Sequence, residues 1–207
     1  MRKIKVCGLT RTEDAELASS LGADLLGFVV ADSPRQVSLT ELSALVSSIP
    51  STIITVAVAV NPTQQEADRF LEVVDRIQFH GEESLELCRR YGRRAIKAFR
   101  VRGPEDVRSA HRYAEVVGAV LLDSYKKGVA GGTGHSFTWS LLDGQRFKVP
   151  AFLAGGLKME NLSQAYAVEA TGGLDLSSGL ESEPGIKDEK KLRTFFERLE
   201  QLRGNVS

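Results

Sequence analysis

The segment that decides the fold runs from Ile4 to Val30 and reads IKVCGLTRTEDAELASSLGADLLGFVV. It begins with a short apolar run, Ile4–Cys7, and it ends with a second one, Leu25–Val30. Between the two runs, small and apolar residues recur at helical spacing. Thr10, followed three residues later by Glu13, has the pattern of a capping box at a helix start. The segment therefore predicts a strand, a helix and a second strand parallel to the first.

The same alternation continues to the end of the chain. Apolar runs short enough to be strands recur eight times, with stretches of helical spacing between them. The runs are mostly continuous rather than alternating, which is typical of parallel strands that are covered on both faces. The eight predicted strands are Ile4–Cys7, Leu25–Val30, Ile53–Val60, Arg76–Phe79, Ala95–Phe99, Ala119–Leu122, Ala151–Leu153 and Leu174–Leu176.

Chain length separates two parallel folds. The 207 residues, divided over eight strand–helix units, leave about 26 residues for each unit, close to the size of a minimal (β/α)8 barrel of about 200 residues. An open doubly wound sheet is the alternative, but it usually has fewer strands, and no Gly-x-Gly-x-x-Gly follows the first strand. No linker divides the chain. We predict an α/β fold, a (β/α)8 TIM barrel, with residues 1–207 as one domain and a short helix near Trp139–Leu142.

Composition excludes several classes of function. The chain has 27 Lys and Arg residues and 27 Asp and Glu residues, so its formal net charge is zero. Binding to nucleic acid or to an anionic membrane through bulk electrostatics needs a basic excess, and we expect neither partner. No apolar stretch approaches the roughly 20 residues of a membrane span, and the N-terminus lacks signal-peptide features. We therefore expect a cytoplasmic protein whose two cysteines, Cys7 and Cys88, stay reduced.

The active site of such a barrel lies at the C-terminal ends of its strands. Cys7 ends strand 1 and Asp123 follows strand 6, so the two face each other across the barrel. A cysteine thiolate and an aspartic acid would form a general base and a general acid. The alternatives are a buried apolar cysteine and an aspartate that caps a helix. Lys5 should point inward beside Cys7, and a buried lysine needs a partner, for which Asp175 on strand 8 is the candidate.

Two glycine-rich turns follow strands 7 and 8. Gly155 and Gly156 end the first, and Ser178 and Gly179 lie in the second. Loops at these positions frequently bind phosphate in barrels, because their backbone N–H groups point at the anion. Tight turns with positive φ are the alternative explanation of each motif. The two motifs together favour a phosphorylated small-molecule ligand.

The remaining polar residues give weaker predictions. His80, after strand 4, is either a ligand-binding residue or a histidine at the barrel rim. His111 and His135 share no ligand spacing with the carboxylates, so we expect no metal site. The run Gly131–Gly134 could be a mobile lid or a surface loop.

Taken together, the motifs resemble those of the phosphoribosylanthranilate isomerase family. The resemblance runs from about residue 3 to residue 200, with one motif at most strand ends. No single motif would suffice, but their order is specific. The matching segments are Lys5–Thr10, Gln78–Glu83, Leu122–Ser124, Gly131–Gly134, Leu153–Leu157, Asp175–Glu181 and Pro184–Asp188.

The resemblance implies an Amadori rearrangement of N-(5-phosphoribosyl)anthranilate without a cofactor or metal, a step of tryptophan biosynthesis. It implies that Asp123 is the general acid and Cys7 the general base. Arg35 would bind the anthranilate carboxylate, and His80 and Asp175 would contact the substrate. The two glycine-rich turns would bind the ribose phosphate. The family includes monomers and homodimers, and either state is open.

Three alternatives remain at this point. The related isomerase of histidine biosynthesis performs the same rearrangement on a larger substrate with two phosphates, and it uses an aspartate where this chain has Cys7. An enzyme that accepts both substrates is the second alternative. A catalytically inactive barrel that serves as a binding module is the third.

Overall fold

The computed structural model describes residues 1–124 and 139–204. Eight parallel strands in this part of the chain close into a barrel in sequence order, with β1 paired to β8. Each lies within one residue of its predicted bounds, so the predicted (β/α)8 barrel is confirmed. The strands are β1 Lys3–Cys7, β2 Leu25–Val29, β3 Ile54–Ala59, β4 Arg76–Phe79, β5 Ala95–Arg100, β6 Ala119–Asp123, β7 Ala151–Ala154 and β8 Gly173–Leu176.

Helices cover the outside of the barrel. Two of them begin with the capping boxes that their sequences encode, Ser38 with Glu41 and Thr63 with Glu66, and these side chains satisfy N–H groups that have no partner within the helix. The helices are α1 Thr12–Ser20, α2 Leu39–Ser47, α3 Gln64–Leu71, α4 Leu85–Tyr91, α5 Pro104–Ala114, α6 Leu162–Tyr166 and α7 Glu189–Gly204.

One local prediction about helices was wrong. Helix α1 has Arg11 as its N-cap and no side-chain cap, because the Thr10 hydroxyl donates instead to the carbonyl oxygen of Gly185, 2.6 Å away. The short helix predicted near Trp139–Leu142 is present as a single turn of 3-10 helix. The predicted lid or surface loop at Gly131–Gly134 lies outside the described residues.

The core has two layers, as the continuous apolar strands require. The larger layer packs the outer faces of the strands against the helices. The smaller layer fills the barrel interior with side chains from alternating strand positions, and it consists of Leu25, Val56, Ile96, Ala98, Ala119, Leu121, Phe152 and Ala154. The interior is therefore a packed core, and the space for chemistry lies at the ends of the strands.

A short hairpin that the sequence pattern did not predict follows β8. Its strands are β9 Glu181–Glu183 and β10 Ile186–Lys187, and the turn between them uses Gly185 at φ 88°. Strands this short carry almost no periodic signal. None of the helices within residues 1–124 and 139–204 combines the length and the apolar character that crossing a lipid bilayer requires.

Candidate active site

Cys7, Lys5 and Asp175 meet at the junction of strands β1 and β8. The Lys5 side chain is completely buried, and its Nζ lies 2.8 Å from Asp175 Oδ1, which confirms the predicted pair. A Cβ atom added to Gly27 on β2 would lie 2.8 Å from the Cys7 Sγ and 2.9 Å from the Lys5 Nζ. The sulfur and the ammonium therefore lie together beneath a strand position that only glycine leaves open.

The surroundings of Cys7 act on its pKa in opposite directions. Burial raises the pKa of the Cys7 thiol, the neighbouring Lys5 ammonium lowers it and the Asp175 carboxylate raises it, and the net result is a pKa above the usual value. Burial lowers the pKa of Lys5, but the negative charges of Asp175 and the Cys7 thiolate outweigh this effect and raise the pKa of Lys5 to about 12. Lys5 is therefore a permanent cation at neutral pH, next to the atom that would carry the thiolate charge.

Asp123 ends β6 and faces His80, which follows β4. The His80 Nε2 lies 3.4 Å from Asp123 Oδ2, and both side chains are largely shielded from solvent. The other ring nitrogen, Nδ1, lies 3.2 Å from the side-chain nitrogen of the buried Gln78. Each ring nitrogen of His80 therefore has a polar neighbour, and the ring lies between Gln78 and the predicted acid.

Arg35 lies in the loop after β2 and forms a two-pronged ion pair with Glu181 of the hairpin. Arg35 Nε and Nη2 donate to the two Glu181 oxygens at 2.8 and 2.6 Å. Glu181 Oε1 also accepts from Lys187 Nζ at 2.8 Å, and Lys187 Nζ donates to the Cys7 carbonyl oxygen at 2.6 Å. A Cβ atom on Gly8 would lie 2.6 Å from the Arg35 Cδ, so the arginine stem crosses the turn that follows Cys7.

The glycine-rich turns after β7 and β8 lie against each other. Gly155 and Gly156 have φ angles of 85° and 66°, which glycine adopts without a steric penalty. A Cβ atom on Gly179, in the 3-10 turn Ser178–Leu180, would lie 2.1 Å from the Leu157 carbonyl oxygen. The Ser124 hydroxyl donates to the Gly155 carbonyl oxygen at 2.8 Å and anchors the first turn to the end of β6.

A second buried ion pair supports the loop that carries His80. The Lys97 ammonium, on β5, lies 3.0 Å from Glu83 Oε2 and donates to the Gly81 carbonyl oxygen at 2.8 Å. Glu83 in turn accepts from the backbone N–H groups of Asn61 and Gly81. Ile96 and Ala98, on either side of Lys97, face the barrel interior, so Lys97 points outward and this buried pair fixes the loop rather than contacting a ligand.

All the predicted site residues in the described chain lie at the same rim of the barrel. Three residues with no role predicted from the sequence contact the predicted site residues: Glu181, Lys187 and Gln78. The turn signal Pro184-Gly185 could have revealed the hairpin, but nothing local pairs Glu181 with Arg35. Within residues 1–124 and 139–204, no three His, Cys, Asp or Glu side chains are grouped closely enough to hold a metal ion.

Comparison with known proteins gives one consistent family. Residues 4–198 match the family model described as N-(5'phosphoribosyl)anthranilate (PRA) isomerase. The N-(5'-phosphoribosyl)anthranilate isomerase of Pseudomonas putida is 42% identical over 200 residues, which cover 95% of this chain and 97% of the relative.

Solved structures agree with the sequence match. The phosphoribosyl anthranilate isomerase of Thermotoga maritima superimposes with a TM-score of 0.85 at 34% identity, covering 97% of this chain and 100% of that one. A second isomerase, in complex with reduced 1-(o-carboxyphenylamino)-1-deoxyribulose 5-phosphate, gives a TM-score of 0.80 at 33% identity, with the same coverage of both chains. The chain therefore belongs to the N-(5'-phosphoribosyl)anthranilate isomerase family, the isomerases of tryptophan biosynthesis.

Proposed function

We propose that this chain converts N-(5-phosphoribosyl)anthranilate to 1-(2-carboxyphenylamino)-1-deoxyribulose 5-phosphate by general acid–base catalysis, with residues 1–207 acting as one isomerase domain. The observation that carries the proposal is the shared position of the Cys7 sulfur and the Lys5 ammonium beneath Gly27. A buried cysteine with no function would have no need of a buried cation, whose desolvation is costly.

Asp123 acts first, as the general acid. Its carboxylic acid proton goes to the ring oxygen of the ribose while the bond between that oxygen and C1′ breaks. The lone pair of the anthranilate nitrogen forms the double bond to C1′, so the product of this step is an open-chain iminium ion. The contact between Asp123 and His80 supports the assignment, because a fixed imidazole orients the carboxyl group and faces the carboxylate left after proton transfer.

Cys7 acts second, as the general base. Its thiolate removes the proton from C2′, and the electron pair of that C–H bond forms a double bond to C1′ and neutralises the iminium nitrogen. The resulting enolamine tautomerises to the ketone by losing the C2′ hydroxyl proton and gaining a proton at C1′. The iminium makes the C2′ proton acidic enough for a thiolate, and Lys5 stabilises that thiolate against its burial.

Substrate binding uses two anion sites at the rim, the Arg35 guanidinium and the backbone of the two glycine-rich turns. We assign the anthranilate carboxylate to the guanidinium of Arg35, whose planar fork suits a carboxylate. We assign the phosphate to the backbone of Gly155, Gly156, Ser178 and Gly179. Gly155 and Gly156 have positive φ angles, and glycines without a side chain let the backbone approach an anion closely. We assign to His80 and Asp175 contacts with the part of the substrate between these two ends.

The wider biology is part of the same proposal. The chemistry that we assign needs no cofactor and no metal ion. Both cysteines are free thiols in the described chain, and a thiolate base works only where thiols stay reduced, so we propose a cytoplasmic enzyme. The partner is a phosphorylated small molecule, not a nucleic acid or a membrane. A T. maritima relative is described as dimeric, and we keep both monomer and homodimer for this chain.

The activity is tested by following the loss of fluorescence of the anthranilate conjugate. We expect turnover by the wild-type protein in the presence of a chelator. Asp123→Asn should lower kcat by at least about 100-fold, the usual contribution of a general acid. Asp143→Asn is the matched control, because Asp143 is an exposed aspartate in the segment that leads into β7, and it should retain wild-type kcat. A wild-type protein without activity, or a fully active Asp123→Asn, would overturn the proposal.

The alternative functions are outcomes of the same assay run with other substrates. Turnover of the two-phosphate aminoaldose of histidine biosynthesis, at a rate similar to that of the anthranilate conjugate, would identify an enzyme that accepts both. Turnover of that aminoaldose alone would identify the histidine-pathway isomerase. Tight binding of either substrate without turnover would identify a binding module.

A further inference from the structure

Glu181 lies at the centre of a buried charge cluster beneath the rim. Its carboxylate is almost completely shielded from solvent and accepts from two cations, Arg35 and Lys187. Lys187 Nζ has three donor hydrogens and three acceptors, Glu181 Oε1 and the carbonyl oxygens of Cys7 and Ser177. Lys187 is therefore fully occupied by the protein and holds the Glu181 carboxylate in place.

The geometry of Arg35 differs from that of Lys187. A guanidinium can present two edges to a carboxylate, the Nε–Nη2 edge and the Nη1–Nη2 end. Glu181 occupies the Nε–Nη2 edge with bonds of 2.8 and 2.6 Å. The Nη1 atom makes no hydrogen bond within the described part of the chain, and the Arg35 side chain stays partly exposed. One edge is thus bound to the protein, and the Nη1 atom of the other edge makes no hydrogen bond to the described residues.

The charge of the cluster favours an anion at that open edge. Arg35, Lys187 and Glu181, two cations and one carboxylate, leave a surplus of one positive charge beside the turn that follows Cys7. Burial raises the pKa of Glu181. The hydrogen bonds that it accepts from Arg35 and Lys187 outweigh burial and keep the pKa of Glu181 below its usual value. Glu181 is therefore a carboxylate at neutral pH and binds Arg35 throughout the working range of the enzyme.

We propose that Glu181 is a positioning residue that makes the site selective for a carboxylated aryl group, because it holds the open edge of Arg35 toward the anthranilate carboxylate. This inference rests on the proposed function. Arg35 is in a loop, and its long side chain would otherwise sample many rotamers. Lys187 contributes indirectly, because it fixes the carboxylate that fixes the arginine.

The test compares two ligands that differ only in the carboxylate. The product, 1-(2-carboxyphenylamino)-1-deoxyribulose 5-phosphate, and its phenylamino analogue without the carboxylate are titrated into the wild type, Glu181→Gln and Glu183→Gln. Glu183 is the matched control because it is an exposed glutamate of the same hairpin. We expect Glu181→Gln to weaken binding of the carboxylated ligand about 10- to 100-fold, the usual effect of losing charge-assisted hydrogen bonds, and to leave the analogue within about threefold.

Kinetics and a double variant give independent readouts. In Glu181→Gln, KM should rise by the same factor as the dissociation constant, with kcat changed much less, because Lys187 keeps its bond to the Cys7 carbonyl oxygen. The Glu181→Gln substitution should have no further effect in an Arg35→Met background. If Glu181→Gln does not fold, Glu181→Asp, which keeps the charge but is one methylene too short for the two-pronged bond to Arg35, should show the same selective loss.

Two results would overturn the inference. Equal weakening of both ligands would mean that Glu181 only stabilises the hairpin, and unchanged binding of both would mean that it positions nothing. A wild-type protein that binds neither ligand and has no activity would instead contradict the proposed function, so the two failures are distinguishable.

Discussion

Replacement of Lys5 by methionine tests how a buried cysteine can serve as a base. Methionine has a similar volume but no charge, so the variant removes the ammonium from between Asp175 and Cys7. Burial alone raises the pKa of Cys7, and Lys5 is the largest opposing influence. The active form of Cys7 is the thiolate, so kcat rises with pH as the thiol loses its proton. Without Lys5 the pKa of Cys7 rises further, and this acid limb of the pH profile moves to higher pH.

The size of the effect follows from the electrostatics of a buried contact. Two unit charges about 4 Å apart attract each other by about 4 kcal/mol at the effective dielectric constant of a protein site, and about 1.4 kcal/mol corresponds to a factor of ten. Water that enters beside the partly exposed Asp175 would screen part of this loss. We therefore expect kcat near neutral pH to fall about 100-fold. The broken ion pair should also lower the free energy of unfolding by about 3 kcal/mol.

The assay is kcat measured from pH 6 to pH 10 by loss of substrate fluorescence, alongside denaturant unfolding. Lys97→Met is the matched control, because it breaks a buried ion pair of similar geometry away from Cys7. It should lose similar stability and keep the acid limb at its wild-type position. If the acid limb of Lys5→Met coincided with that of the wild type, Lys5 would not activate the cysteine, and the reasoning from the shared position beneath Gly27 would fail.

The remaining predictions test the packing of the site and its alkaline limits. Gly27→Ala places a methyl group within 3 Å of both the catalytic sulfur and the Lys5 ammonium, so kcat should fall about 10- to 100-fold, whereas Gly172→Ala, which meets no atom within 4 Å, should leave kcat unchanged. Lys97→Met should cost about 3–5 kcal/mol in urea unfolding, and adding Glu83→Gln should restore most of it; a double variant as unstable as the single one would contradict a simple ion pair. Burial raises the pKa of Cys88 from 9.0 to about 12, so the folded state keeps a proton that the unfolded state loses. The stability that this thiol contributes is present below pH 9 and is lost as the pH rises toward 12. Between these values the free energy of unfolding of the wild type should fall more steeply than that of Cys88→Ala, by about 1.4 kcal/mol per pH unit. Parallel slopes for the two proteins would refute this prediction.

The barrel could be predicted from the sequence because its signal is repeated and local. Each strand is a continuous apolar run, and the runs recur along the whole chain, so an error at one end does not change the fold. Lys5 and Asp175 were also predictable as a pair, because strand alternation points Lys5 inward and the closure of the barrel brings β8 beside β1. Periodicity and topology were sufficient for both inferences.

The contacts that organise the rim depend on long-range geometry. Thr10 fits a capping box by its local pattern, but in the folded chain its hydroxyl finds the Gly185 carbonyl oxygen, 175 residues away. The same hairpin brings Glu181 to Arg35, although its strands are too short for a periodic pattern. Whether a charged residue near a strand end meets a ligand or another side chain depends on such distant segments, which no local pattern encodes.

The measurement that tests the central claim most directly is kcat of Cys7→Ala at unchanged fold, with Cys88→Ala as the control. Cys88 is a second buried cysteine, within α4 and away from the rim. We predict that Cys7→Ala lowers kcat at least about 100-fold, as expected for the loss of a general base, while Cys88→Ala stays active. A Cys7→Ala variant with wild-type kcat would show that another group removes the C2′ proton.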